Sequence, residues 1–505
     1  MALMRWLVLL AALALAALAV LRLEAARAGL DRSALPGDGA PATVWQDRGA
    51  EAAPVVVIAH GFAGSRQLME GFAIAAARAG YVAVAFDFAG HGRNPVPMSG
   101  DVTRVEGTTR VLMDELAAVA DRALALPRAD GRVALVGHSM ASDIVVRQAI
   151  RDPRVGAVVA VSMFSAAVTA NAPGNLLIIP GAWEGFLSQA ALDALHLADP
   201  AADWGQTVGD PVLRTARRAV QAPGVEHVGV LYSATTLRET VRWLDAAFGR
   251  ASAGVVPQRG GWVALLLAAI VAAAWPLAGL MRAWRQDALP ARLTPARLTP
   301  ARLAGLLLAA GTAVPLTLAA FDTRFLPVLV ADYLALHFGL YGLLLLLGAR
   351  ALGGWRPRRP DAADGAVAIA VAAFGIAVFG LALDRYVASF WPQTGRGLIL
   401  AAMAAGAVPF MIADQVLTEG GRAPFWRALA VRGTALAALG LAVALDFERL
   451  FFLVIILPVI LLFFLIFGTA GGWAGRATLR PAAVGTGLGL MLGWALAATF
   501  PLFAS

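Results

Sequence analysis

The chain reads as an α/β domain, with a mostly parallel sheet and flanking helices, followed by an all-α domain of several membrane-crossing helices. Composition gives the first reason: 505 residues are 59% hydrophobic and only 15% charged, with a mean hydropathy of +0.71, more apolar than one soluble domain tolerates. The second is periodicity. From about residue 29 to 259 short apolar runs alternate with helix-like stretches and mixed charge, the pattern of strands and helices in alternation. The third is run length, because beyond that region apolar segments recur near the roughly 20 residues that cross a bilayer.

Taken in order, residues 1–29 form a signal anchor or signal peptide, with Arg5 ahead of an apolar stretch at 6–21. Residues 30–250 are the α/β domain, 251–261 a linker, and 262–505 a membrane domain of about eight helices. Its spans are expected at 262–281, 303–320, 326–348, 366–383, 398–417, 433–445, 450–467 and 483–503, the one at 433–445 being short. Pro315, Pro409 and Pro458 are expected to kink their spans. A repeated P-A-R-L-T string at 290–303 reads as an expanded linker.

Within the α/β domain, Gly137-His138-Ser139-Met140-Ala141 lies between an apolar run at 133–136 and a helical stretch at 141–149. A strand-to-helix turn of this kind lifts a serine hydroxyl toward substrate, and the next backbone N–H, that of Met140, can face a developing oxyanion. Small residues are needed on both sides because strand and helix nearly touch. Gly137 fits and Ala141 stands where glycine is usual. Ser142, Ser162 and Ser165 lack this small-residue frame, and the chain has no cysteine to offer a thiol nucleophile.

Upstream, a run at 55–59 precedes His60-Gly61-Phe62-Ala63-Gly64. A helical stretch at 67–79 and a run at 82–86 then lead to Asp87-Phe88-Ala89-Gly90-His91-Gly92-Arg93. Together with the serine motif these resemble the α/β-hydrolases, over about residues 40 to 250. The resemblance implies that the loop after the third strand supplies a second oxyanion donor, the N–H of Phe62, and that the D-x-x-G-H-G loop follows the fourth strand, with His91 structural. It also implies an acid and a base in the order Ser, Asp or Glu, His. A strand candidate at 175–180 ends in Gly181-Ala182-Trp183-Glu184, similar to the family's G-x-x-D/E, so Glu184 is the candidate acid; Asp193, Asp199, Asp203 and Asp210 are alternatives. His227 precedes a terminal helix with apolar Leu237, Val241, Leu244 and Phe248 at helical spacing, and is the candidate base, with His196 the other histidine after the acid. Only about a dozen residues separate the sixth and seventh strands, too few for a large cap there, whereas residues 186–213 could cover the site.

These roles imply a serine hydrolase acting on carboxylic esters or thioesters through an acyl-serine, with a lipid or other apolar acyl substrate suggested by the membrane domain. The alternatives are an acyltransferase using the same acyl-serine, and a transporter with a hydrolase-like regulatory domain in which Asp332 and Asp414 carry the function. Asp332, His337, Asp414 and Gln415 all lie in expected spans, where ionisable groups are costly. No zinc spacing, P-loop or dinucleotide fingerprint occurs, so no metal or cofactor is expected. Net charge is +8 and the isoelectric point near 10.8, yet the arginines follow membrane topology, and nucleic acid is not an expected partner. With no lysine in the chain, arginine clusters (Arg282, Arg285, Arg292, Arg297 and Arg302; Arg350, Arg356, Arg358 and Arg359; Arg422, Arg427 and Arg432; Arg476 and Arg480) mark alternate loops as cytoplasmic. The expected location is a bacterial-type plasma membrane, the α/β domain facing the periplasm or exterior.

Overall fold

The computed structural model describes residues 2–49, 51–102, 104–253, 255–285 and 298–504. Arg292, Arg297 and most of the P-A-R-L-T repeat lie outside the described residues. The chain forms two compact units. One comprises Leu18–Leu265 with Leu383–Ser389 and Pro501–Ser505; the other comprises Met1–Ala17, Leu266–Ala382 and Phe390–Phe500. The helix α1 (Ala2–Ala25) contributes to both.

The first unit is built on a nine-stranded sheet. Its strands are β1 (Leu30–Ala34), β2 (Ala42–Asp47), β3 (Ala53–Ala59), β4 (Val82–Phe86), β5 (Ala129–His138), β6 (Val155–Val161), β7 (Leu176–Ile179), β8 (Thr207–Val208) and β9 (Arg217–Ala219), in the order β1-β2-β4-β3-β5-β6-β7-β9-β8. From β4 through β3, β5, β6 and β7 to β9 every pairing is parallel, while β1, β2 and β8 pair antiparallel at the two edges. The central strands are continuous apolar runs because both faces are covered: Val55, Val56, Val57, Ile58 and Ala59 are all fully buried. The helices α2 (Glu70–Arg78), α3 (Arg110–Leu124), α4 (Met140–Arg151), α5 (Gly185–His196) and α6 (Ala234–Phe248) complete the unit. On one face Met69, Phe72, Leu237, Val241 and Leu244 join the side chains of β3, β5 and β6 in a single core. Each such large apolar side chain contributes about 1.5–3 kcal/mol by leaving water. The segment expected to cover the site, 186–213, holds α5 and the short edge strand β8.

Among the described residues, nine helices are long and apolar enough to cross a membrane. Besides α1 they are formed by α7 (Gly260–Leu280), α8 (Pro300–Ala319), α9 (Ala331–Ala351), α10 (Ala362–Ala373) joined through a π-turn at Phe374–Phe379 to α11 (Gly380–Tyr386), α12 (Gly397–Leu417), α13 (Phe425–Leu445), then, after the single turn α14 (Phe447–Leu450), α15 (Leu453–Thr478) and α16 (Pro481–Thr499). Several bounds differ from those expected. The short span at 433–445 is the second half of a 21-residue helix, α13; charged Arg427 and Arg432 mask its first two turns in a hydropathy reading. Those two arginines therefore sit in a helix and not in the preceding loop. The span expected from 326 begins at Ala331, so Asp332 lies in its first turn. The span expected at 450–467 runs on to Thr478.

Small residues set the packing of this unit. A Cβ on Gly485, Gly489 or Gly493 of α16 would come within 2.9 Å or less of the α12 backbone at Ile412, Val408 and Ala404. This is a small-xxx-small seam of the kind that lets helices approach in a membrane. Gly406 of α12 meets the Ala335 carbonyl of α9, and Gly342 of α9 meets the backbone at Phe410, so α9 and α12 run parallel at close range.

Candidate active site

The site is assembled at the carboxyl ends of β3, β5, β6 and β7 and the loop after β9. Ser139 follows β5 and precedes α4, with φ 54° and ψ −118°. A positive φ on a non-glycine residue costs on the order of 1–3 kcal/mol and persists only where the surroundings enforce it. They do so here: the Ser139 N–H donates to the Val161 carbonyl at 2.9 Å, and the Ser139 carbonyl accepts from the Ser142 N–H at 2.9 Å and from its hydroxyl at 2.5 Å. A Cβ on Gly137 would collide with the Ala141 carbonyl oxygen, which is why glycine is required there.

His227 lies 88 residues away in sequence, with Nε2 2.8 Å from the Ser139 hydroxyl and Nδ1 2.5 Å from Oε1 of Glu184. The other carboxylate oxygen, Oε2, accepts from the Ser162 hydroxyl at 2.7 Å and the Gly181 N–H at 2.6 Å. Burial raises the Glu184 pKa, but the hydrogen bonds from His227, Ser162 and Gly181 outweigh it and hold the carboxyl below its ordinary value. The Glu184 side chain is 6% exposed and that of His227 43%. An ionised carboxylate thus holds Nδ1–H, which leaves the Nε2 lone pair toward the serine hydroxyl.

Two further histidines shape the loops. The Phe88 N–H donates to His60 Nε2 at 3.1 Å, so the proton sits on Nδ1 and donates to the Gly61 carbonyl at 2.7 Å. Full burial pushes the His60 pKa down to about 4, which keeps it neutral. Because C=O and N–H of one trans peptide point in opposite directions, fixing the Gly61 carbonyl fixes the direction of the Phe62 N–H. A Cβ on Gly61 would lie 3.0 Å from the Ser139 Cβ, so this loop runs directly against the serine. The Met140 N–H belongs to the first turn of α4, whose amides have no intrahelical acceptor. His138, pushed down to about 3 by burial and then by the neighbouring His227, places Nε2 2.9 Å from the His227 carbonyl. Being neutral, it donates there and pins the loop that carries His227.

The other residues weighed from sequence are engaged elsewhere. Ser142 bonds the Ser139 carbonyl, Ser162 bonds Glu184, and Ser165 donates to Asp143 at 2.5 Å. His196 bonds the Ala202 carbonyl. Asp193 accepts from Gln189, while Asp199, Asp203 and Asp210 accept from backbone N–H groups one or two residues on. His91 is buried, with Nδ1 on the Ala89 carbonyl and its ring against Phe62 and His60. The contacts of Ser162 and His138 were not signalled by sequence spacing; only their positions at the ends of β6 and β5 point to them. Three exposed aromatic residues flank the acid: Trp183, Phe186 and Phe164, the last two with ring centroids 5.4 Å apart. Among the described residues no cluster of three or more His, Cys, Asp or Glu side chains could hold a metal ion.

Residues 50–202 match the family model described as serine aminopeptidase, S33. Similar solved structures include an epoxide hydrolase from Vigna radiata (24% identity, 27% of this chain and 39% of that one, TM-score 0.22). They also include a dienelactone hydrolase from Anabaena variabilis (17% identity, 43% and 97%, TM-score 0.32). A third is a membrane phospholipase A described as a bacterial virulence factor (16% identity, 47% and 92%, TM-score 0.33). The chain spans about two-fifths of the length of the epoxide hydrolase. No curated protein matches it.

Proposed function

We propose, on the premise that the sheet-bearing unit is a serine-hydrolase-type α/β-hydrolase domain, that this protein is a membrane-integrated hydrolase of carboxylic esters or thioesters. The observation that carries the reading is the unbroken chain from the Ser139 hydroxyl through His227 to Glu184. In this mechanism His227 Nε2 takes the hydroxyl proton as Ser139 Oγ attacks the acyl carbonyl. The Phe62 and Met140 N–H groups stabilise the tetrahedral oxyanion, and Glu184 stabilises the imidazolium. His227 then returns the proton to the leaving alcohol or thiol. Water, deprotonated by His227, releases the acid and restores Ser139.

An apolar acyl group is favoured by the exposed Phe164, Trp183 and Phe186 beside Glu184, since such aromatic surface normally marks a binding site. The nine apolar helices support membrane integration. The arginine-rich segments at 350–359 and 476–480 support a cytoplasmic side opposite to the hydrolase domain.

The test is labelling of the purified full chain with a fluorophosphonate probe. Labelling of the wild type and its loss in Ser139→Ala is the expected result; an unlabelled, folded wild type overturns the reading. Turnover of long-chain over short-chain esters, reduced in Phe164→Ser and Phe186→Ser, checks the substrate class, and hydrolysis of peptide amides alone would contradict it. A periplasm-active reporter fused at Arg250 and a cytoplasm-active one at Arg359 check the orientation, which the reverse pattern of signals refutes.

A further inference from the structure

The helical unit buries a file of polar groups that the proposed hydrolysis does not use. On α9, Tyr333, His337 and Tyr341 recur every four residues and so lie on one face, each about 1% exposed. His337 Nδ1 is 3.4 Å from the Tyr333 hydroxyl, and the Tyr341 ring stacks on the imidazole at 6.1 Å. At one end stands Asp332, 2% exposed, whose carboxylate accepts from the N–H groups of Phe325 and Tyr333.

At the other end the Tyr341 hydroxyl is buried without a hydrogen-bond partner among the described residues. Tyr341 lines a cavity of about 10 Å³ together with Asp414 and Arg432, close to the smallest space that holds one water. Arg432 of α13 grips the Asp414 carboxylate of α12 with Nε at 2.8 Å and Nη2 at 3.1 Å, and Gln415 donates to the same carboxylate at 3.0 Å. The Gln415 carbonyl oxygen is likewise buried and unpartnered. Past Asp414, the Thr418 hydroxyl donates to its backbone carbonyl, and Glu419 pairs with Arg427 at 2.9 Å. Because α9 and α12 run parallel, Asp332 and Glu419 mark opposite ends of this file.

A structural role accounts for the Asp414–Arg432 pair, since two buried charges need one another. It does not account for an imidazole and two phenols in file along one helix face among apolar neighbours, nor for an unpaired hydroxyl facing that ion pair. Ionisable groups at membrane depth are expensive, and where they persist they mark ion or proton pathways.

We propose that Asp332, Tyr333, His337, Tyr341 and Asp414 form a proton path through the helical unit. A proton entering beside Asp332 is taken up by the Tyr333 hydroxyl, which gives its own to His337 Nδ1, 3.4 Å away. The imidazole releases a proton from Nε2 to the Tyr341 hydroxyl when that side chain swings from its parallel, unbonded position, so that His337 is neutral before and after, and ring rotation resets it. Tyr341, with one water in the small cavity, hands the proton to Asp414, whose link to Arg432 opens as the carboxylate is neutralised; Asp414 then releases the proton toward the Glu419 end and its pair with Arg432 re-forms. The driving force is the membrane potential or a pH difference, and no other reactant is needed.

The test reconstitutes the full chain in liposomes with entrapped pyranine and applies a potassium diffusion potential with valinomycin. Internal acidification faster than in empty liposomes, kept in Ser139→Ala and reduced to the empty-liposome rate in His337→Leu and Tyr341→Phe, is the expected result. Acidification of wild-type liposomes no faster than of empty ones overturns the proposal, as does an unchanged rate in Tyr341→Phe. That variant removes one oxygen atom and keeps the ring, so it decides the question even where His337→Leu does not fold.

Discussion

The sheet unit and the helical unit both bury ionisable side chains, but they satisfy them from different sources. In the sheet unit the loops at strand ends have backbone groups to spare. Glu184 takes the Gly181 N–H, fully buried Asp87 takes the N–H groups of Arg66 and Arg93, and His138 finds the His227 carbonyl. Within the helices of the other unit nearly every backbone group is consumed by its own helix, so polar side chains at helix centres must satisfy one another, while Asp332 and Arg396 at helix ends still find backbone partners. Asp414 depends on Arg432 and Gln415, and the Tyr341 hydroxyl has no hydrogen-bond partner among the described residues. Polar groups held by backbone are fixed in place; polar groups held by other side chains can exchange partners. The first arrangement suits a preorganised reaction site, the second a path along which bonds re-form.

The largest expected effect sharpens this contrast. Ser139→Ala or His227→Ala should lower ester turnover by about four to six orders of magnitude while leaving the thermal unfolding midpoint nearly unchanged, because neither residue supports the core. Turnover loss of that size from Asp414→Asn, measured on the same ester, would break the division between the units. Glu184→Gln should cost about 10⁴ in turnover, since an amide no longer enforces the imidazole tautomer.

Stability effects come next and should be ordered by source of support. Asp414→Ala leaves the Arg432 guanidinium without its carboxylate and should destabilise the helical unit by about 3 kcal/mol, seen as a lowered melting temperature in detergent with turnover retained. Gly137→Ala drives a methyl group into the backbone carbonyl of Ala141 and should cost about 1–3 kcal/mol together with most of the fluorophosphonate labelling, as the serine turn shifts.

The most gradual effect is titration. His60 and His138 are held near 4 and 3 by burial, against about 6.5 in the unfolded chain. Below pH 6.5 the unfolded state therefore binds protons that the folded state does not, so stability falls as pH falls. The slope is up to about 1.4 kcal/mol per pH unit for each histidine, and each contribution ends at the folded pKa. Melting temperature against pH between 7 and 4 checks this, and His138→Asn should flatten the slope. A pH-independent midpoint would mean that these rings are not buried as neutral groups.

Much of the sheet unit is legible in the sequence. Runs such as 55–59 and 82–86 are short, apolar and punctuated by His60-Gly61 and Asp87, so strand and loop declare themselves together. The edge strand β1 is less visible because Asp31, Arg32 and Ser33 face solvent, which removes the apolar signal. In the helical half the reading is good for helix centres and poor for ends, because Arg427, Arg432 and Arg476 lie inside helices that a hydropathy window cuts short. The glycines of α16 read as nothing special until they are seen against α12.

Order along the chain singles out Ser139 and Glu184 by their positions at strand ends and His227 by its place after the acid and before the last helix of the α/β domain, and composition separates a mixed α/β region from one that is apolar throughout. Both follow from local rules, namely what a strand-to-helix turn requires and how many apolar residues cross a bilayer. Tertiary structure alone decides which groups meet. Strands β5, β6, β7 and β9 lie side by side, which brings three residues spread over 88 positions within hydrogen-bond distance and turns Ser162 toward the acid. The close parallel packing of α9 and α12 sets Tyr341 beside Asp414. Pair distances are fixed by strand order and helix register, and those depend on side-chain contacts between segments distant in sequence, which no local pattern encodes.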